Sequence, residues 1–367
     1  MTALEPSIDL TRIASLAEFE RRARRTLEPA AFDYIAGGAW DEVSLGEAET
    51  AWRRRRLRPR VLVDVSRVDP STTMAGGPVP LPVGIAPMAA HGLAHADAEI
   101  ATARAAAAAG IPFTLSTMST ASIEEVAAAA PDATRWFQLY TQADPRRSRS
   151  FVERAAAAGY SAVIVTVDLP VLGYRERDLR SGFDLSVPHG NFRDDAGPDH
   201  AGHQGERTSG YDIIESEIDR GLTWADLATI RSWTDLPILL KGIVTSEDAR
   251  LAVEHGVAGI VVSNHGARQL DRTVATADAL EEVVASVGGR TEIWVDGGIR
   301  RGLDVVTAPA FGARGVLVGR PVLWALAAAG EAGVARALEI LRTETIIAMT
   351  LLGAPTTADL SRDHVAG

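Results

Sequence analysis

The chain has 367 residues, of which 46% are hydrophobic and 23% charged, and its formal net charge is −11. This composition is typical of a globular protein, and the acidic balance argues against a nucleic-acid partner, which would favour a basic surface. The absence of cysteine excludes disulfides, thiolate metal sites and a cysteine nucleophile. With no signal-peptide pattern at the start and no apolar run of about 18 residues, we expect a cytoplasmic protein without a membrane span.

The first 80 residues are predicted to form a mainly helical N-terminal extension. Leu16 to Leu27 is a basic amphipathic stretch, and residues 30–36 predict a short helix that ends at Gly37 and Gly38. The four consecutive arginines at 53–56 are interpreted as a solvated or ion-paired face.

From about residue 80 the chain alternates short apolar runs with alanine-rich helical patterns. This alternation predicts a parallel sheet covered on both faces, and a count of eight runs favours a closed (β/α)8 TIM barrel. An open dinucleotide-binding sheet is less consistent with the sequence, because no glycine-rich fingerprint follows the first strand. We expect one domain, with the extension at 1–80, the barrel at 81–330 and a C-terminal helix and tail at 331–367. The predicted strands are Val83–Pro87, Phe113–Ser116, Arg135–Tyr140, Ala162–Asp168, Pro237–Lys241, Gly259–Asn264, Ile293–Asp296 and Gly315–Gly319.

A long insertion follows the fourth predicted strand, and its residues 181–220 are predicted to form a lid. His189, His200 and His203 lie in it. A metal site is conceivable, but loop histidines without fixed spacing are more often solvated, so we predict none.

Polar side chains follow the predicted strands, and in a barrel the C-terminal strand ends build the active site. The sixth strand ends at His265, with Arg268 three residues later. Histidine moves protons near neutral pH and arginine binds carboxylates bidentately, so this pair suggests chemistry on a carboxylic acid. Taken alone, the two residues could instead be a strand cap and a solvated loop charge. One ion pair sealing the barrel does not account for the remaining strand-end groups, which include Tyr140, Asp168, Arg175 and Lys241.

The last two strand ends combine glycines with arginines. The seventh strand is followed by Asp296-Gly297-Gly298-Ile299-Arg300 and the eighth by Gly319-Arg320. Barrels commonly bind phosphate at this place, so a substrate or cofactor that carries a phosphate is expected.

These residues lie in segments that match a known family over nearly the whole chain. The segments include FDYIAGG, RPRVLVDVS, WFQLY, TVDLPVLGYRERD, LPILLKGI, VVSNHGARQLD, VDGGIRRG and GVLVGRP. The chain resembles the FMN-dependent α-hydroxy acid oxidases and dehydrogenases, such as glycolate oxidase, lactate oxidase and mandelate dehydrogenase. The segment APMAAHGLAH, at 86–95, is most similar to the lactate oxidase branch.

The resemblance implies oxidation of an (S)-2-hydroxy acid to the 2-oxo acid, with electrons passing from reduced FMN to O2 to form H2O2. It implies that His265 is the base, that Asp168 orients its ring, and that Tyr140 bonds the substrate hydroxyl. Arg175 and Arg268 would bind the carboxylate with help from Tyr34, and Lys241 would lie beside the flavin. The remaining flavin and phosphate contacts are assigned by the resemblance to Ala86, Pro87, Met88, Ala89, Ser116, Gln138, Thr166, Ser263, Asp296, Gly298, Arg300, Gly319 and Arg320.

Two departures from glycolate oxidase bear on the substrate. Met118 stands where glycolate oxidase has a tryptophan in the substrate pocket, and Met88 stands where it has a threonine. Methionine is slimmer and more adaptable, so we expect a lactate-like or larger substrate, including a mandelate type. The insertion is polar where membrane-bound mandelate dehydrogenase has an apolar anchor, so a soluble enzyme is expected. A homotetramer is implied by the resemblance alone.

Three alternatives stay open at this stage. The same oxidation could deliver electrons to a quinone or protein acceptor, as in a dehydrogenase. A barrel isomerase acting on a phosphorylated substrate would need no flavin. A non-catalytic flavin-binding scaffold would have no need of the arginine clamp.

Overall fold

A computed structural model of the chain describes residues 8–193 and 210–366. Its centre is a closed barrel of eight parallel strands, in the order β10-β11-β4-β5-β6-β7-β8-β9. These strands are β4 (Val83–Met88), β5 (Phe113–Ser116), β6 (Arg135–Leu139), β7 (Ala162–Thr166), β8 (Ile238–Ile243), β9 (Gly259–Val262), β10 (Glu292–Val295) and β11 (Gly315–Val318). The predicted barrel is confirmed, and every predicted strand agrees with an observed one to within two residues at each end.

Helices cover the outside of the barrel, which explains why the strands are continuous apolar runs and not alternating ones. The helices before β8 are α1 (Leu16–Thr26), α2 (Pro29–Ala36), α3 (Val43–Arg54), α4 (Ala98–Ala109), α5 (Ile123–Ala129), α6 (Pro145–Ala157), α7 (Glu176–Ser181), α8 (Gly210–Glu217) and α9 (Asp226–Arg231). Those after it are α10 (Ser246–Glu254), α11 (Thr276–Val287), α12 (Gly302–Ala310) and α13 (Arg320–Leu352). Helix α13 is interrupted at Ala329 and Gly330, where the backbone leaves helical geometry.

Large side chains fill the barrel interior. Trp136 and Trp294 meet there edge to face, with ring centroids 5.8 Å apart. A Cβ atom on Gly259 would lie 2.1 Å from the Trp294 ring, so β9 must begin with a glycine. The hairpin of β2 (Thr72–Met74) and β3 (Gly77–Val79), which the sequence did not predict, packs Met74 and Val79 against this interior cluster.

The N-terminal extension lies against the barrel and is tied to the C-terminus, because β1 (Arg56–Leu57) pairs antiparallel with β12 (Val365–Ala366). In the arginine run, Arg53 pairs with Glu49, while Arg54 and Arg55 both pair with Asp278. The interpretation of the run as an ion-paired face is therefore confirmed.

Part of the predicted lid lies outside the described residues, including His200 and His203. His189 is described and is buried, with 8% of its surface exposed, so its predicted solvation was wrong. Across 8–193 and 210–366 no helix could span a membrane, and the same ranges contain no cluster of histidine and carboxylate side chains suited to a metal ion.

Candidate active site

The chain turns sharply after β9 and presents His265 to a cavity at the C-terminal end of the barrel. His265, Gly266 and Ala267 are consecutive residues with positive φ, at +59°, +63° and +62°. The Asn264 side chain accepts a hydrogen bond from the Ala267 amide at 3.1 Å and so stabilises the turn. Left-handed backbone at residues other than glycine is costly and clusters at functional sites. We therefore interpret this turn as part of the candidate site.

Both nitrogens of the His265 ring have partners from other strands. Nδ1 lies 2.9 Å from Oδ1 of Asp168, 97 residues away in the sequence, and Nε2 lies 3.2 Å from the Tyr140 hydroxyl. Asp168 follows β7 and Tyr140 follows β6, so the barrel brings three strand ends to one imidazole. An Asp–His pair of this kind sets the tautomer and orients the ring, while the second nitrogen faces the reacting group.

The electrostatics favour a neutral imidazole beside an ionised carboxylate. Burial lowers the pKa of His265, and the nearby Lys241 and Arg175 lower it further against the opposing pull of Asp168. Burial alone would raise the pKa of Asp168, but His265 and Lys241 outweigh it and hold that pKa below its ordinary value. Burial also raises the pKa of Tyr140, which keeps its hydroxyl protonated. The site thus holds a proton acceptor and a proton donor 3.2 Å apart.

Lys241 is a buried cation at the end of β8. Its Nζ donates to the Ser263 hydroxyl at 3.0 Å and lies 3.5 Å from the Asp296 carboxylate. The Ser263 oxygen also accepts from the backbone amide of His265 at 3.1 Å. One hydroxyl therefore connects the lysine to the histidine turn.

Two arginines and Tyr34 form the side of the cavity next to His265. The Arg268 guanidinium donates to the carbonyls of Tyr34 and Gly37 and lies over the Tyr34 ring, 4.7 Å from its centroid. Arg175 has 8% of its surface exposed and donates through Nε to the Arg268 carbonyl at 3.4 Å. These contacts hold the two guanidinium groups near one another, which is favourable only with an anion between or beside them.

Arg300 and Arg320 line another part of the same cavity. Arg300 pairs with Glu49 at 3.0 Å. Arg320 donates to the carbonyls of Ile35, Gly37 and Gly266, at 2.9, 2.8 and 2.8 Å. Burial and the other arginines lower the pKa of Arg320 to about 9. The resemblance assigned Arg320 to a phosphate, whereas here its guanidinium is bonded to carbonyls, so that role stays a prediction.

The cavity encloses about 970 Å³, its open mouth included. Among the described residues that line it, five side chains are cationic, four arginines and Lys241, against the single carboxylate of Asp296. Such a surplus of positive charge favours anionic ligands. Other predicted residues in the lining are Tyr34, Ala86, Pro87, Met88, Ala89, Met118, Tyr140, His265, Gly298 and Gly319. Five predicted residues lie outside the lining: Ser116, Gln138, Thr166, Asp168 and Ser263.

One wall of the cavity is apolar, and of its residues only Met118 was predicted from the sequence. Met118 packs with Leu169 and Ile214, and all three line the cavity. Leu169 follows Asp168 in the TVDLPVLGYRERD segment, and Ile214 comes from α8, within the insertion. Apolar residues inside an otherwise polar insertion were the available signal for Ile214.

Comparison with known proteins agrees with this geometry. The FMN-dependent dehydrogenase family matches residues 23–367, so the chain belongs to that family and its cofactor is FMN. Glycolate oxidase 1 of Zea mays is 47% identical over 354 residues, 96% of this chain and 95% of the relative. Glycolate oxidase of Spinacia oleracea is 46% identical over 355 residues, 96% of each chain. A crystal structure of mandelate oxidase has a TM-score of 0.88 and 45% identity, covering 95% of this chain and 97% of that one.

Residues around the cavity fit FMN. Gln138 Nε2 and Asp296 Oδ1 are buried, and neither has a hydrogen-bond partner among the described residues. A free amide donor suits the carbonyl edge of an isoalloxazine, and a carboxylate oxygen suits a ribityl hydroxyl. Arg300 and the glycines after β10 and β11 supply a cation and close backbone approach for the phosphate. Gln138, Asp296 and Arg300 are therefore suited to FMN, and the individual flavin contacts stay predictions.

Proposed function

We propose that this enzyme oxidises an (S)-2-hydroxy acid to the 2-oxo acid, with O2 as the electron acceptor. The observation that carries the proposal is the His265 ring, held by Asp168 on one nitrogen and facing the Tyr140 hydroxyl with the other, beside the two arginines. A proton acceptor next to a carboxylate clamp is the arrangement that a 2-hydroxy acid requires. The glycolate and mandelate oxidases among its relatives support the reaction class.

The proposed roles follow from charge and position. Arg175 and Arg268 bind the substrate carboxylate, because two neighbouring guanidinium groups are stabilised by an anion. Tyr140, which stays protonated, donates to the substrate oxygen. His265 takes a proton through Nε2, and the ionised Asp168 stabilises the imidazolium that results.

Bound FMN supplies the two-electron acceptor for the substrate carbon. Lys241 contributes a fixed positive charge that Ser263 holds in the barrel, and such a charge stabilises negative charge developing nearby. Gln138 and Asp296 are proposed to hold the cofactor through the free polar atoms described above, and Arg300 through its positive charge.

The substrate is proposed to be lactate-like or larger, including the mandelate type. Met118, Leu169 and Ile214 form an apolar wall, which suits an alkyl or aryl side chain better than the hydrogen of glycolate. A solved structure of mandelate oxidase with (S)-4-hydroxymandelic acid is among the structural neighbours, at a TM-score of 0.88. Lactate remains a candidate from the resemblance of the segment at 86–95.

A quinone or protein acceptor, as in a dehydrogenase of the same family, is the second candidate. The flavin-free isomerase alternative is wrong, since the family is FMN-dependent. A cytoplasmic location and a homotetramer stay predictions.

The proposal is tested by an anaerobic absorbance spectrum of the purified protein, recorded before and after separate additions of L-lactate, L-mandelate and glycolate. We expect a flavin spectrum that L-lactate or L-mandelate bleaches faster than glycolate does. D-mandelate is the matched control and should leave the spectrum unchanged. Rapid recolouring on admission of air supports O2 as acceptor, and slow recolouring supports the dehydrogenase. A flavin spectrum that no 2-hydroxy acid bleaches would overturn the proposal.

A further inference from the structure

Two of the proposed functional groups are carried by a segment without regular structure. Asp168 and Arg175 lie between the end of β7 at Thr166 and the start of α7 at Glu176. Residues in such a connection keep a precise position only if other groups bond to its backbone.

Gln269 supplies those bonds with one side chain. Its Nε2 donates to the carbonyl of Asp168 at 3.1 Å and to that of Val171 at 2.7 Å. Its Oε1 accepts from the amide of Gly173 at 3.1 Å. Gln269 has 8% of its surface exposed, so these bonds are shielded from water.

The backbones of the two segments also touch. A Cβ atom on Gly173 would lie 2.3 Å from the Arg268 carbonyl oxygen and 2.8 Å from the Cα of Gln269. The same Arg268 carbonyl accepts the hydrogen bond from Arg175. The segment that carries His265 and Arg268 thus packs directly on the segment that carries Asp168 and Arg175.

We propose that Gln269 is a positioning residue, which holds residues 168–175 so that Asp168 meets His265 and Arg175 meets the substrate carboxylate. The inference rests on the roles proposed above for these residues. Gln269 bonds to backbone, and it acts on the reaction through Asp168 and Arg175 alone.

The amide group is specifically required by this arrangement. Two carbonyls need donors and one amide needs an acceptor, and a primary amide offers both. Gln269→Glu keeps the acceptor for Gly173 but removes both donors. Gln269→Met keeps the length and removes all three bonds, which leaves buried backbone groups unsatisfied.

The test uses the full chain loaded with FMN, in wild-type form and with each of these substitutions. For both variants we expect kcat to fall by roughly 10- to 100-fold, because small misplacements of reacting groups cost that much. KM for the 2-hydroxy acid should rise as Arg175 loosens. FMN affinity should stay within about twofold of wild type, because Gln269 is not proposed to touch the cofactor.

Hydrogen exchange gives a readout that does not depend on turnover. In Gln269→Met the Gly173 amide should exchange faster than in wild type, whereas in Gln269→Glu it should stay protected. The acid limb of the pH profile of kcat/KM should also move to lower pH in Gln269→Met, because a looser Asp168 raises the pKa of His265 less.

Arg135→Met is the matched control for general destabilisation. Arg135 is a buried side chain that also bonds to backbone carbonyls, among them Pro131 and Ala158, but at the opposite end of the barrel. Arg135→Met should lower the melting temperature without moving the acid limb of kcat/KM or the exchange rate of the Gly173 amide. The inference would be overturned if Gln269→Met kept the wild-type kcat, the wild-type acid limb and the wild-type exchange rate of the Gly173 amide. A wild-type protein that oxidises no 2-hydroxy acid would instead overturn the proposed function, and the exchange data would still show whether Gln269 holds the segment.

Discussion

Gly242 lies against Asp168 so closely that no side chain fits between them. A Cβ atom on Gly242 would be 2.6 Å from the Cβ of Asp168 and 2.7 Å from its carboxyl carbon. Gly242 has a φ of +115°, and the β8–β9 register shifts between Lys241 and Ile243. Irregularities of this kind commonly re-aim side chains beside active sites.

Replacing Gly242 with alanine should therefore displace Asp168 from His265. We expect Gly242→Ala to lower kcat by about 100-fold, as a 1 Å misplacement can. Gly289→Ala is the matched control, because Gly289 also has a positive φ, +76°, but a Cβ there would have no neighbour within 4 Å. Gly289→Ala should lose about 1–2 kcal/mol of stability from backbone strain, and Gly242→Ala should lose more, because its Cβ also meets Asp168. Equal kcat values in the two variants would contradict the role given to the Gly242–Asp168 contact.

Removing the imidazole should separate cofactor binding from chemistry. His265→Ala should retain FMN, since the cofactor contacts are assigned elsewhere, but slow flavin reduction by roughly 10²- to 10⁴-fold, the usual contribution of a general base. Stopped-flow absorbance under anaerobic conditions measures the reduction rate directly. Reduction at the wild-type rate by the best substrate would rule out His265 as the base.

The pH dependence of activity should report the protonation of His265. His265 acts as a base only when neutral, and its pKa is lowered below its ordinary value, chiefly by burial. Activity should therefore hold as pH falls through about 6.5, the ordinary histidine pKa, and decline only at lower pH. Asp168, Lys241 and Arg175 are the charged groups that act on this imidazole, with Tyr140 on its other nitrogen.

Removing the Asp168 charge tests this assignment. Asp168 raises the pKa of His265 against the effect of burial. Asp168→Asn should therefore move the acid limb of kcat/KM to still lower pH while reducing kcat. An acid limb that moves to higher pH in this variant would contradict the assignment.

The apolar wall should govern the size of the substrate side chain. Met118→Trp would fill space beside Leu169 and Ile214, because Met118 is buried with 2% of its surface exposed. We expect kcat/KM for mandelate to fall by about tenfold or more relative to glycolate, as added bulk in an apolar pocket does. Met118→Leu conserves volume and should keep the wild-type ratio. If Met118→Trp leaves the ratio of kcat/KM for mandelate to kcat/KM for glycolate unchanged, the substrate side chain binds elsewhere.

Gln138 should contribute to FMN affinity through its free amide nitrogen. Its Oε1 already accepts from the Ser116 hydroxyl and the Thr117 amide, at 3.1 and 3.2 Å, so Nε2 is the group left for the cofactor. Gln138→Glu keeps the acceptor and removes the donor, and we expect the Kd for FMN to rise about tenfold or more. Quenching of flavin fluorescence on titration of the apoprotein measures it. An unchanged Kd would remove Gln138 from the cofactor site.

The barrel and much of the site were predictable because they depend on local pattern and on topology. Apolar runs of four to six residues between helical patterns define the strands. Once parallel strands close into a barrel, their C-terminal ends must meet, so Tyr140, Asp168, Lys241 and His265 were expected together without any distance being known.

Other features depended on the paths of loops and on side-chain contacts between distant segments. The contact of Gly242 with Asp168 and the three bonds of Gln269 have no local signature, because each depends on a neighbour from another part of the chain. The direction of Arg320 toward the carbonyl of Ile35 in α2 is a further example. Sequence alone thus determined which chemical groups stand at the strand ends, and tertiary packing decided which pairs of atoms meet.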